Sequence, residues 1–228
     1  MKNILVLLSG SGVYDGSEIH ESVLTLLAID RSGNQYQCAA PNVEQHHVIN
    51  HSSGEEMDET RNVLVESARI ARGNILALEE VNHENYDALV MPGGFGAAKN
   101  WSKWAFSGPE GEINPDVKRI VNEFVSVGKP VAGLCMSPTT IAKALEGTAV
   151  HASLTVGTTE EASPYDIAAI SGGMESIGST AEMKSVREIT VDAKNKIVTT
   201  PCYMMEASVA EINEGITQAI DKLLELAD

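Results

Sequence analysis

Short apolar runs alternate with longer amphipathic stretches from one end of the chain to the other, and that alternation is the strongest constraint on its fold. Asn3–Leu8, Gln35–Ala40, Asp87–Met91 and Pro130–Leu134 read as strands. A run with no polar side suits a parallel sheet covered on both faces. Ser17–Arg31, with Asp15 or Ser17 as its cap, Arg61–Arg72, Pro115–Val127 and Thr139–Glu146 read as the intervening helices. Gly33, Gly73 and Gly128 stand where the first three stop, as glycine tolerates the left-handed turn that closes a helix. Glu188–Asp192 and Lys196–Thr200 flank a polar turn and read as a strand pair. Ala207–Ala227 closes the chain as a helix with Val209, Ile212, Ile216, Ile220 and Leu223 on one face. The order implies an α/β fold with a mainly parallel sheet. No repeat, low-complexity tract or linker divides the 228 residues, so one domain over residues 1–228 is expected.

Two stretches exceed the ordinary loop length of about 12–15 residues. Pro41–Thr60 is rich in His and acids, and Phe95–Asn114 holds Phe95, Trp101, Trp104 and Phe106, most of the chain's two Trp and three Phe. Aromatics gathered in a loop suggest a lid, a pocket wall or a subunit contact, against the plainer alternative of a loop folded over the core edge. The charge balance is 16 − 32 = −16. That argues against nucleic acid or anionic lipid as a partner, since phosphate binding needs clustered Lys and Arg. Ile4–Leu8 is too short for a signal sequence, and no apolar run approaches the ~20 residues of a membrane span. Cys38, Cys135 and Cys202 are an odd number, widely spaced, which fits a reducing compartment and points to the cytoplasm.

The sharpest chemical feature is Lys129-Pro130-Val131-Ala132-Gly133-Leu134-Cys135-Met136-Ser137-Pro138. A buried strand runs into Gly-x-Cys-x-Ser and a helix begins, the arrangement of a nucleophile elbow with Cys in place of Ser. Small residues at Gly133 and Ser137 permit the tight turn. Cys135 then lies at the carboxyl edge of the sheet over a helix N-terminus, where amides and the helix dipole favour the thiolate. A buried structural cysteine is the competing interpretation. Met91-Pro92-Gly93-Gly94-Phe95-Gly96 follows another strand. Its glycines allow close backbone approach, and the amides of Gly94 and Met136, with Gly93 beside them, are candidates to bind an oxyanion or substrate.

Ser9-Gly10-Ser11-Gly12-Val13-Tyr14-Asp15-Gly16 resembles a dinucleotide fingerprint, but Asp15 takes the third glycine's place and the second strand ends without an acid. No cofactor is expected. Glu18 and Glu21 share a face in the first turns of the first helix, either as capping charges or as a carboxyl group aimed at Cys135. His47 and His51 lack a third ligand at metal spacing, so no metal is expected. His20 or His151 would have to reach the sulfur through the fold. Cys38 and Cys202 read as small packing residues.

Ser9 to Glu21, Thr60-Arg61-Asn62-Val63-Leu64, Met91 to Asn100 and Asn195-Lys196-Ile197-Val198-Thr199-Thr200-Pro201 together resemble the ElbB family. These isoprenoid or "enhancing lycopene biosynthesis" proteins lie within the PfpI-like, class I glutamine amidotransferase-like superfamily. The resemblance covers nearly the whole chain. It implies a flavodoxin-like three-layer sandwich with a Cys nucleophile elbow, and a homodimer. It also implies a glutathione-independent glyoxalase, a lyase that converts glyoxal to glycolate through a Cys135 hemithioacetal, with a small aldehyde as substrate. The family's acid lies early in the first helix; counting back from Gly33 favours Glu21, with Glu18 its rival. No His-x-Glu pair follows Cys135, so glutamine hydrolysis is not implied. The competing functions are a non-catalytic redox-sensing or binding protein using the same cysteine, and a Cys hydrolase of amides or esters.

Overall fold

A computed structural model describes all residues, Met1–Asp228. The strands are β1 (Asn3–Leu7), β2 (Gln35–Ala40), β3 (Ile75–Ala77), β4 (Ala88–Met91), β5 (Val131–Leu134), β6 (Ser153–Gly157), β7 (Thr180–Met183), β8 (Thr190–Asp192) and β9 (Ile197–Thr200). The helices are α1 (Ile19–Arg31), α2 (Val63–Ile70), α3 (Trp104–Ser107), α4 (Pro115–Ser126), α5 (Ser137–Leu145), α6 (Ile167–Ser176) and α7 (Val209–Leu226). Seven strands form one sheet in the order β3-β2-β1-β4-β5-β9-β8. Every pair in it is parallel except β8 with β9. Helix α1 packs against α2 and α7, and α4 packs against α5, giving the expected three-layer, flavodoxin-like α/β architecture.

The sheet is apolar because it is covered twice. Ile4–Leu7, Ala88–Met91 and Val131–Leu134 are buried throughout, and burial of this apolar area supplies the main driving force for the fold. Helix ends follow from local chemistry. Asn114 caps α4, with Pro115 at its first position. Ser208 and Glu211 form a reciprocal capping box at the start of α7. Ile212, Ile216, Ile220 and Leu223 face the core as their spacing implies, but Val209 is exposed at the first turn. Helix α1 begins later than its sequence suggests: Glu18, rather than Asp15 or Ser17, is its cap. Asp15 instead accepts a hydrogen bond from the Ile49 amide, tying down the 41–60 loop.

The aromatic stretch divides between roles. Trp101 is fully buried and donates its indole N–H to the Leu8 carbonyl at 3.2 Å. Trp104 is also core, whereas Phe106 lies exposed against His46 and His47. Beyond α5, β6 and β7 form a separate parallel pair joined through α6. Side-chain bonds attach this pair to the main sheet: the Thr155 amide donates to Thr199 Oγ1, and the Ser153 amide donates to Asp192. Helix α6 contains Gly172 and Gly173, a poor composition for a helix. A Cβ at Gly173 would come within 2.9 Å of the Trp104 ring, so close packing accounts for that glycine.

Candidate active site

The parallel order reverses at β1, which has β2 on one side and β4 on the other. Open α/β sheets bind ligands at such a switch point, outside the carboxyl ends of the strands. Three segments meet there: the loop into α1, the Pro92–Gly96 turn after β4, and the turn after β5. In the first of these, two glycine amides have partners within the protein. The Gly10 amide donates to Ser67 Oγ and the Gly12 amide to the Ser17 carbonyl.

Cys135 follows β5 with φ at +59°, a left-handed conformation that a non-glycine residue holds only where surrounding contacts impose it. Its N–H donates to the Thr200 carbonyl on β9 at 3.0 Å. Ser137 Oγ donates to the Pro92 carbonyl at 2.9 Å, which fastens the turn to the end of β4. Gly133 has Ile141 of α5 against it: a Cβ there would lie 2.6 Å from the Ile141 Cδ1. Small residues at Gly133 and Ser137 therefore let β5, α5 and the β4 turn approach each other.

Glu21 is fully buried in the first turn of α1 beside Cys135: a Cβ added at Gly93 would lie 2.6 Å from Glu21 Oε2 and 2.9 Å from the Cys135 sulfur. Oε2 accepts the Gly93 amide at 2.9 Å, and Oε1 accepts the Tyr203 amide at 3.3 Å. Glu18 plays a different part. Its Oε2 accepts the Glu21 amide at 2.7 Å as the helix cap, and its own amide donates to the Gly93 carbonyl at 2.7 Å. The choice between the two acids is thus resolved in space: Glu21 faces the sulfur, and Glu18 holds the turn that aims it.

Two sequence expectations need correction. Gly93 does not offer its amide to a substrate, because that N–H is bound to Glu21. Nor does the elbow by itself favour a thiolate. The amides of Gly94 and Met136 face the sulfur and lower its pKa, but burial and the adjacent Glu21 charge outweigh them and push the thiol up. Desolvation outweighs the helix terminus at a side chain only 5% exposed. The same burial, with the charge of Glu18, raises Glu21 to about 8. Two adjoining acidic groups at low dielectric disfavour a double negative charge, so ionising the sulfur calls for a proton on Glu21.

A groove of about 810 Å³ adjoins the residues that hold Glu21, lined by Glu18, His20, Phe95, Tyr165, Tyr203 and Met205 among others. His20 reaches the Tyr203 hydroxyl with Nδ1 at 2.8 Å, and His151 turns to the Gly178 carbonyl. Neither provides a Cys–His pair. Tyr165 packs edge-on to Phe95 at 5.7 Å between centroids. Burial and the nearby Cys135 and Glu21 charges push its hydroxyl up to about 12, keeping it a proton donor at neutral pH. Tyr165 and Tyr203 carry no motif in the sequence. Only the neighbouring position of β9 and the crossover after β6 bring them to the elbow.

The sequence pattern of the DJ-1/PfpI family matches residues 4–161. The human glutamine amidotransferase-like class 1 domain-containing protein 3, mitochondrial, is 44% identical over 98% of this chain and 82% of its own. The rat ES1 protein homolog, mitochondrial, is 43% identical over 98% of this chain and 83% of its own. The crystal structure of an isoprenoid biosynthesis protein with an amidotransferase-like domain from Ehrlichia chaffeensis superposes with a TM-score of 0.90. It is 33% identical, with all of both chains covered. The mitochondrial names of the mammalian relatives overturn the cytoplasmic location expected from composition. Unpaired cysteines report the redox state a chain tolerates, not the compartment that holds it.

Proposed function

The chain belongs to the DJ-1/PfpI family, and from that premise we propose that it is a glutathione-independent glyoxalase of the ElbB type, converting glyoxal to glycolate at Cys135. Family members include enzymes such as deglycases, and the reading gives this chain a related carbonyl chemistry. One observation carries it: a buried carboxyl group, raised to about 8, beside a cysteine thiol on a turn of left-handed backbone. A proton carrier works best with a pKa near the working pH, because it must both accept and return the proton.

In this reading the Cys135 sulfur forms a bond to one aldehyde carbon, and the thiol proton passes through Glu21 to the new hydroxyl oxygen. The amides of Gly94 and Met136 stabilise negative charge, first on sulfur and then on that oxygen. The ionised Glu21 next takes the hydrogen from the sulfur-bearing carbon and returns it to the adjacent carbon. This isomerisation leaves a glycolyl thioester without any external oxidant. Water cleaves the C–S bond, releasing glycolate and the Cys135 thiol. Gly93 and Glu18 act as positioning residues, holding Glu21 from either side of the turn.

Purified protein incubated with glyoxal in the absence of thiols tests the proposal. Glycolate is expected to accumulate in step with glyoxal loss. Glyoxal disappearing without glycolate would mean that the protein is merely modified by the aldehyde, and would refute the reading.

A further inference from the structure

Two of the three cysteines lie together. Strand β5 ends beside β9 with Leu134 opposite Thr200; Cys135 follows the first and Pro201-Cys202 the second. Cys202 opens a 3₁₀ turn with φ at +47°, so both cysteines stand in left-handed backbone at neighbouring strand ends. The register sets Cys135 opposite Pro201 and Cys202 one residue further along, so a strand spacing of about 4.8 Å and a rise of about 3.3 Å per residue put the two Cα atoms about 6 Å apart, inside the ~4.4–6.8 Å range that disulfides use. Cys202 is fully buried, and its sulfur faces the Cys135 amide; the charges of Glu21 and Cys135 both raise its pKa. The next residue, Tyr203, gives its amide to Glu21. Cys38 shares none of this: its thiol is raised by burial alone, to about 12. The reading of Cys202 as a small packing residue misses this proximity, which depends on the pairing of β5 with β9.

We propose that Cys202 is a resolving thiol for Cys135, forming a reversible disulfide with it after oxidation by a hydroperoxide. The Cys135 sulfur attacks the peroxide, the O–O bond breaks, and the sulfur becomes a sulfenic acid. The Cys202 sulfur then attacks the Cys135 sulfur, the S–O bond breaks, and water leaves with the Cys202 proton. The two thiols together supply the two electrons that reduce the peroxide, and an external dithiol reverses the state by exchange. Cys202 is shielded from direct attack, so it remains reduced until Cys135 has reacted. The disulfide protects Cys135 from the irreversible sulfinic and sulfonic states. This chemistry is independent of the aldehyde reaction, so either proposal stands if the other fails.

The test treats the intact protein with a modest excess of hydrogen peroxide, alkylates the remaining thiols and maps non-reduced peptides by mass spectrometry. The Cys135 and Cys202 peptides are expected to appear cross-linked, with the free thiols falling from the native three by the two that pair. Dithiothreitol should restore both. Cys202→Ser is expected to lose that recovery and accumulate sulfinic acid at Cys135, whereas Cys38→Ser should preserve the cross-link. Wild-type protein that carries sulfinic acid at Cys135 while Cys202 stays alkylatable would overturn the proposal. The wild-type map decides the question without reliance on the folding of any variant.

Discussion

Cys135→Ala is expected to lose glycolate formation from glyoxal by about 10³-fold or more, the scale on which removing a covalent nucleophile acts, while retaining its fold. The size of the effect follows from the absence of a substitute. Cys202 is fully buried, and His20, which lines the groove, is bonded to the Tyr203 hydroxyl rather than to the thiol. Without sulfur there is no hemithioacetal, and Glu21 has no acidified carbon from which to draw a proton. The backbone has less reason to suffer. Alanine fits within the volume of the cysteine side chain, and because burial and the Glu21 charge keep the thiol protonated, its removal strips no charge from the site. Circular dichroism and the urea midpoint should match wild type. Full turnover in a folded Cys135→Ala protein would remove the covalent mechanism.

Gly93→Ala is expected to damage both activity and stability. An added Cβ would lie 2.3 Å from the Cys135 Cβ and 2.6 Å from Glu21 Oε2. Neither neighbour yields easily, since one is fixed by a strained backbone and the other by two amides. Forcing an extra methyl into a packed site costs about 1–3 kcal/mol. Displacing the thiol from its carboxyl partner by an ångström is worth about 10²-fold in rate. The urea midpoint and the glycolate rate should fall together. Gly172→Ala is the control: nothing lies within 4 Å of an added Cβ there, so it should leave the glycolate rate unchanged and, since alanine favours the helix, raise rather than lower the urea midpoint. A Gly93→Ala protein with wild-type rate would show that the turn does not position the pair.

Much of the architecture is legible in the chain because it is written locally. Ile4–Leu7 and Val131–Leu134 are apolar on every side, and Gly33 and Gly128 stop their helices where backbone of positive φ is required. The tight turn from β5 into α5 is legible for the same reason, since Gly133, Cys135 and Ser137 fall close together in the chain. What escapes is set at long range. Helix α6 looks unlike a helix because Gly173 answers to Trp104, some seventy residues earlier in the chain, rather than to helix propensity. Glu18 and Glu21 look equivalent until Gly93 accepts one amide and donates its own to the other's carboxylate. The thiol's protonation depends on burial, and neither burial nor the proximity of Cys202 can be read from residue spacing.

The central claim is that Cys135 and Glu21 titrate as one coupled pair, and the rate of Cys135 alkylation against pH measures it directly. The Glu21 charge opposes ionisation of the sulfur and raises its pKa. Removing it in Glu21→Gln should therefore move the alkylation midpoint to lower pH. Glu18 bonds the Glu21 amide rather than the thiol, so Glu18→Ala should move the midpoint much less. A midpoint unchanged in Glu21→Gln, or shifted equally by Glu18→Ala, would contradict the account.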